Sequence, residues 1–246
     1  MLASERDQQS QTLIFLPAWN EGESIETVIA DVQEELPGAT ILVIDDGSHD
    51  DTVDAARQAG AEVAILPFHI GLGAALQTGY RYAQENGFKY FAHLDSDGQH
   101  PPNQLLRILQ PTWDNQADLV LGSRFTQDGE VPGSEFRSSP LRRVWIHILA
   151  RMVSGLHGQR FTDITSGFRA GNHRAIDLFT RIYQPDFGEI EAVQTAINEG
   201  LRVIEVPVLM LRRELGESYL TVFPSLRFMF KAFITLMVGR FRGEAH

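Results

Sequence analysis

Short apolar runs alternate with segments of helical periodicity along the first half of the chain. Thr12-Leu13-Ile14-Phe15-Leu16 is almost uniformly apolar and stops at Pro17, which predicts a buried strand. From Glu23 to Leu36 the apolar positions are 25, 28, 29, 32 and 36, a helical spacing closed by Pro37-Gly38. Ile41 to Ile44 predicts a second strand, Asp50 to Ala59 a second helix, and Val63 to Leu66 a third strand. Gly71 to Asn86 predicts a helix with a glycine-rich start, and residues 89–94 a fourth strand. Strands alternating with helices imply right-handed βαβ units, hence an α/β fold with a mostly parallel central sheet and helices on both faces.

The second half is less regular. Leu119-Val120-Leu121 is strand-like, and Gln127 to Ser139 reads as a mobile loop. Ser139-Pro140 opens a predicted helix that runs to about Leu156, because proline suits the first helical position. Thr162 to Gly171 reads as a functional loop, Val203 to Leu211 as a strand, and Pro224 to Phe241 as a long helix. No repeat or linker divides the chain. The expected organisation is a polar tail over residues 1–11, one α/β domain over 12–220, and an amphipathic helical extension over 221–246.

In a parallel sheet, ligands bind beyond the carboxyl ends of the strands. Pro17 to Glu21, Asp45 to Ser48 and Asp95 to Gln99 all follow strands, so all three should open onto one crevice. The most informative of them is Asp95-Ser96-Asp97-Gly98-Gln99-His100. Two carboxylates one residue apart at a strand end can place oxygen ligands on one hard cation. Mg²⁺ and Mn²⁺ favour such ligands, and Mg²⁺ is commonly held by one or two carboxylates together with substrate phosphates. The pattern points to a metal-bridged diphosphate. By itself, Asp-x-Asp also suits a solvated turn.

Trp19 and Glu21 could stack on and hydrogen-bond a nucleoside, or simply pack a helix entry. Asp45-Asp46 could accept from a base N–H or ribose hydroxyls, or cap the following helix. Gly71-Leu72-Gly73 reads as close helix packing, because the strand–GxGxxG–helix context of a phosphate cradle is incomplete. Arg124, Arg169 and Arg212-Arg213 are candidates for gripping phosphate, whose oxygens suit the planar guanidinium fork.

Charge is distributed unevenly. The net charge is −11, yet residues 1–130 hold 6 basic and 21 acidic side chains, against 15 and 11 in residues 131–246. An acidic part with metal-binding carboxylates and an arginine-rich part facing anions suit a phosphate-handling enzyme. The acidic total opposes nucleic acid as a partner. The chain has no cysteine, which excludes disulfides and thiolate metal sites. The polar start, Met1 to Gln11, lacks an apolar signal core, so a cytoplasmic setting is expected.

Taken in order, several motifs resemble one known family. They are Pro17-Ala-Trp-Asn-Glu21, Val43-Ile-Asp-Asp-Gly-Ser48, Gly71-Leu-Gly-Ala-Ala-Leu-Gln-Thr-Gly-Tyr80, Asp95-Ser-Asp-Gly-Gln-His-Pro-Pro102, Gly122-Ser-Arg-Phe125, Thr162-Asp-Ile-Thr-Ser-Gly-Phe-Arg169 and Glu205-Val-Pro207 followed by Arg212-Arg-Glu-Leu-Gly-Glu-Ser218. The chain resembles family 2 glycosyltransferases of the GT-A fold, nearest the dolichol- or polyprenol-phosphate mannosyl- and glucosyltransferases, over about residues 12–220.

The resemblance implies transfer of a hexose from a nucleotide-sugar (GDP-mannose or a UDP-hexose) to a polyprenyl phosphate, inverting the anomeric carbon. It implies that Pro17, Trp19, Glu21 and Asp46 hold the nucleotide, with Asp46 on the base. Asp95, Ser96 and Asp97 would form the metal–diphosphate site with Gln99 as a further ligand to Mg²⁺ or Mn²⁺, and Asp97 would be central to catalysis. Arg124 and Arg169, with Arg137, would clamp the acceptor phosphate, while Arg213 and Ser218 would cover the donor diphosphate. Two departures bear on the sugar pocket. His69 stands where relatives commonly carry Asn, and Phe187 to Glu191 lacks the proline usual between acids.

A polyprenyl acceptor needs a membrane surface. In Pro224 to Arg242, Arg227, Lys231, Thr235 and Arg242 share one helical face, and the apolar run Ala232 to Gly239 is too short to span a bilayer. Arg143, His147 and Arg151 form a similar stripe in Pro140 to Leu156. Such helices suit the inner face of a membrane, and a small membrane protein is a further expected partner. Two alternatives stand beside this reading. One is a related transferase acting on a hydroxyl acceptor, with Glu189, Glu191 or Asp163 as base; the other is a non-catalytic nucleotide-sugar-binding subunit of a membrane partner.

Overall fold

The computed structural model describes residues 3–126, 129–134, 140–182 and 189–211. The expected polar tail is instead a helix, α1 (Ala3–Ser10). Its amides, rather than apolar area, tie it down. The buried Gln9 accepts from the Gly38 N–H at 3.1 Å, and the Gln8 carbonyl accepts from Thr12 Oγ1 at 2.7 Å. Bonds of that kind leave no hydropathy signal.

Next come β1 (Thr12–Ala18), α2 (Ile25–Glu35), β2 (Thr40–Asp45), α3 (Thr52–Gln58), β3 (Glu62–Ile65), α4 (Leu72–Glu85) and β4 (Tyr90–His93). These elements fall where the apolar pattern puts them, except that β1 continues through Pro17. The β4 ladder has ended at Phe15, and the Pro17 carbonyl accepts from Ser96 Oγ at 2.9 Å, so proline is tolerated there. A 3-10 turn (Pro102–Gln104) leads into α5 (Leu105–Trp113), followed by β5 (Leu119–Ser123), β6 (Phe125–Thr126) and β7 (Gly129–Glu130). The last elements are α6 (Pro140–His157), β8 (Arg169–Asn172), α7 (His173–Ile182), α8 (Glu189–Asn198) and β9 (Val203–Pro207). The predicted helix over 224–241 lies outside the described residues.

Seven strands form one sheet in the order β3-β2-β1-β4-β8-β5-β9, with only β8 antiparallel to its neighbours, and β6 and β7 make a separate ribbon. Alternation along the strands builds a core on each face. Leu13, Phe15, Leu42, Ile44 and Phe91 pack with α4, α6, α7 and α8. Ile14, Leu16, Ile41, Val43 and Ala92 pack with α2, α3 and α5. The strand order reverses between β1 and β4, so the crevice at the carboxyl ends of β2, β1 and β4 is where a ligand belongs.

Candidate active site

Side-chain bonds stitch together the three loops that leave β1, β2 and β4. Ser24 Oγ donates to the Ser96 carbonyl at 2.8 Å, and Ser96 Oγ donates to Pro17, which joins the first loop to the third. Ser48 Oγ accepts from the Asn20 N–H, and Asn20 Oδ1 accepts from the His49 N–H, both at 2.9 Å, which joins the first to the second. Asn20 takes a left-handed φ of 54°, a conformation that asparagine tolerates better than most residues. Glu21 is held at both ends. Its N–H donates to Thr52 Oγ1 at 2.9 Å, and its carboxylate accepts from Ser24 Oγ at 3.2 Å.

At the β2 end, Asp46 is buried and its carboxylate is heavily used. One oxygen accepts from the Ile70 N–H at 2.8 Å. The other accepts from the Gly71 N–H at 2.8 Å and lies 2.9 Å from His69 Nδ1. The His69 ring stacks on Trp19, with centroids 4.1 Å apart and planes 24° apart. Gly47 makes this approach possible. Its φ is +75°, and a Cβ there would sit 2.7 Å from the Phe68 carbonyl carbon and 2.8 Å from the His69 nitrogen.

The Asp95–Gln99 loop follows β4. Asp97 Oδ1 accepts the Gln99 N–H at 3.0 Å, a tight turn helped by Gly98 at φ 74°, and the Gln99 carbonyl accepts from the Leu211 N–H at 2.9 Å. Behind the loop lies His100, 2% exposed and stacked on Phe168, with Nδ1 3.4 Å from an Asp95 oxygen. Burial pushes its pKa down to about 4 against the opposing pull of the Asp97 carboxylate, so the ring is neutral near pH 7. His93, also buried, is pushed down by burial and by the Arg169 charge.

Among the described residues no three His, Asp or Glu side chains converge on one point. Asp95 and Asp97, one residue apart in the loop after β4, offer hard oxygen ligands that fit Mg²⁺ or Mn²⁺ completed by phosphate oxygens rather than by a closed protein cage. The buried His100 Nδ1 faces that set, at 3.4 Å from the Asp95 carboxylate.

The antiparallel strand β8 brings the preceding loop, 162–168, to the same edge. There the structure differs from the open phosphate clamps expected of Arg124 and Arg169. Arg124 is 4% exposed, and its guanidinium spans both oxygens of the fully buried Asp163, with Nη2 also donating to Thr165 Oγ1. Arg169 is 1% exposed and donates to the carbonyls of Ser166 at 2.9 Å and Ile164 at 3.3 Å. A buried guanidinium needs such partners, and here both brace the loop. Burial pushes the Asp163 carboxyl up, but the Arg124 charge and hydrogen bonds outweigh that and hold it below the usual carboxylate range. Asp163 is thus a fixed counter-ion and is not poised as a base. Beneath it, Glu205 of β9 accepts from the N–H groups of Thr162 and Asp163, both at 2.6 Å, and burial pushes its carboxyl up.

The structure therefore gathers Pro17, Trp19, Glu21, Asp46, Asp95, Ser96, Asp97 and Gln99 along one edge, with Arg124 and Arg169 behind the adjoining loop. Arg137, Arg213 and Ser218 lie outside the described residues. Ser24, His100, Asp163 as a counter-ion, and Glu205 are additions. His100 adjoins the Asp-Ser-Asp-Gly-Gln run, and Asp163 and Glu205 stand within motifs already singled out, whereas Ser24 meets the third loop through a contact 72 residues away in sequence.

Comparison with known proteins agrees with this geometry. Residues 13–179 match the family model described as Glycosyl transferase family 2. The chain is 34% identical over 221 residues to an undecaprenyl-phosphate mannosyltransferase from Micrococcus luteus, covering 85% of this chain and 86% of that protein. It is 34% identical over 218 residues to a polyprenol monophosphomannose synthase from Mycolicibacterium smegmatis, covering 85% and 80%. A crystal structure of glucosyl-3-phosphoglycerate synthase from Mycobacterium tuberculosis, in complex with Mn²⁺ and UDP-glucose, superposes with a TM-score of 0.67 at 20% identity, over 96% of this chain and 82% of that one. At that identity it establishes the shared GT-A fold alone.

Proposed function

The chain belongs to glycosyl transferase family 2, and from that premise we propose that it moves a hexose from a nucleotide-sugar to a polyprenyl phosphate, inverting the anomeric carbon. The observation that carries the reading is the stitched edge. The loops after β1, β2 and β4, which carry Trp19, Asp46 and the Asp95–Gln99 run, are tied to one another by side-chain hydrogen bonds. The two relatives named above are by name an undecaprenyl-phosphate mannosyltransferase and a polyprenol monophosphomannose synthase.

Asp95, Asp97 and Gln99 would hold Mg²⁺ or Mn²⁺, which when bound supplies positive charge to the departing nucleoside diphosphate. Asp97 is oriented by its bond from the Gln99 N–H, and Ser96 fixes the loop against Pro17. Trp19 and Glu21 would seat the nucleoside. Arg124 and Arg169 would serve the acceptor by holding loop 162–168 in shape. Arg137, Arg213 and Ser218 would complete the phosphate contacts. An acceptor phosphate is already anionic, so no strong base is required. The paired state of Asp163 removes one of the three carboxylates that could serve as base for a hydroxyl acceptor.

The test is a thermal-shift screen of GDP-mannose, UDP-glucose and UDP-GlcNAc with Mn²⁺, followed by transfer to polyprenyl phosphate. One donor should stabilise the protein and yield lipid-linked sugar. Asp97→Ala should lower transfer by at least about 10²–10³-fold, with its melting temperature without ligand unchanged. Near-normal turnover of that variant would exclude the site.

A further inference from the structure

We propose that His69 reads the nucleobase of the donor and that Asp46, the residue the family resemblance puts on the base, acts through it. This inference rests on the nucleotide-sugar reading and names the residue that gives it specificity.

Access and valence both point this way. The Asp46 side chain is 6% exposed, whereas that of His69 is 49% exposed, so the imidazole is the member of the pair open to a ligand. Asp46 is also nearly saturated. A carboxylate has about four acceptor sites, and three are taken by Ile70 N–H, Gly71 N–H and His69. What Asp46 does do is fix the ring. An ionised carboxylate only accepts, so the imidazole nitrogen 2.9 Å away, Nδ1, carries the hydrogen. In the neutral ring Nε2 then has a lone pair, and it lies at the edge of the ring away from Asp46. Stacking on Trp19 sets the ring plane, and the backbone contact at Gly47 sets the loop that carries it.

A fixed acceptor at this position selects a ligand by its ring hydrogen. Uracil offers N3–H and guanine N1–H, while cytosine and adenine have a bare, lone-pair-bearing ring nitrogen at the matching place. The site should therefore accept uridine and guanosine diphosphates and discriminate against the cytidine and adenosine ones. Separate titrations with UDP and GDP show which of the two this chain prefers.

The experiment is calorimetric titration at pH 8 with Mn²⁺ of UDP, GDP, CDP and ADP into the full chain, His69→Phe and His69→Ala. The wild type should bind UDP or GDP at least about tenfold more tightly than CDP and ADP, the worth of one hydrogen bond with a repulsive alternative. His69→Phe keeps a ring against Trp19 but loses the acceptor, and its preference should fall within about threefold. Nitrogen-15 spectra of the His69 ring should show hydrogen on Nδ1 alone, an Nε2 shift on adding UDP or GDP, and loss of the single tautomer in Asp46→Asn. A wild type that binds nucleotides without this preference, or a His69→Phe that retains it, overturns the inference and leaves the transferase reading intact. A wild type that binds none of the four overturns both.

Discussion

At single positions, the site is governed by how closely backbones approach. Gly47 combines a φ of +75° with the Phe68 and His69 main chain less than 3 Å from where a Cβ would go. Gly47→Ala should therefore cost about 1–3 kcal/mol from the left-handed backbone alone, more as the loop is pushed aside. The check is a chemical denaturation curve together with a nucleotide titration. Both midpoint and affinity should fall, whereas a variant as stable as wild type would show that the contact is loosely held. Position 47 also illustrates what could be seen beforehand. The Asp-Asp-Gly-Ser run marks a turn, but only the folded chain shows that its glycine is pressed against residues 68 and 69. For the same reason His69 stands out in the sequence only as an unusual residue, and its partners Asp46 and Trp19 come from two other loops.

Elements are tied together at the opposite edge by one buried carboxylate. Asp118, fully buried ahead of β5, accepts from Arg202 N–H at 2.9 Å and Nη2 at 2.9 Å, from Asn172 Nδ2 at 2.8 Å and from Arg174 Nη1 at 2.9 Å. It pins β5 to the start of β9 and the end of β8. Burial pushes its carboxyl up, but the Arg202, Asn172 and Arg174 contacts overcome that and leave it well below the usual range. Asp118→Ala removes the acceptor shared by these four contacts and leaves the buried Asn172 amide without it, so the variant should melt below wild type. Because the folded pKa is depressed, the stabilisation is full above the unfolded value of 3.8 and fades as pH falls below it. The gap in stability between wild type and Asp118→Asn should accordingly narrow from pH 5 to pH 2 in denaturant melts. A constant gap would mean the charge contributes nothing.

The parallel half of this sheet is legible in the apolar pattern, because each strand there is a continuous buried run followed by a helix of regular spacing. Three helices are harder to see. Pro111 lies inside α5 and reads as a breaker, and α7 and α8 follow a strand of Arg-Ala-Gly-Asn whose composition is not strand-like. The direction of β8 has no local signal. It is set by pairing with β4 and β5, strands about 50–80 residues away in the chain.

For the protein taken together, the proposed lipid-borne acceptor raises the question of how the enzyme would reach it. No described helix is long and apolar enough to cross a membrane. On α6, however, Val144 is 54% and Ile148 37% exposed, and Arg151 lies exposed on the same side. An outward face of that composition suits an anionic lipid surface. In flotation assays with vesicles containing anionic lipid, the protein should rise with the vesicles. Val144→Asp with Ile148→Asp should shift most of it to the bottom fraction while leaving nucleotide binding unchanged. Equal flotation of the double variant would rule out α6 as the contact.

The reversed strand β8 also dictates an order of events. The pieces that would hold the nucleoside and the metal lie within residues 17–100, on strands that pair with near neighbours in the chain, whereas Arg213 and Ser218 come only after β9. The loop carrying Asp163, which neutralises Arg124, reaches the crevice only when β8 inserts between β4 and β5. Pairings across such sequence distances form late. During synthesis, then, the nucleoside and metal side of this enzyme can be shaped while the acceptor side is still being made.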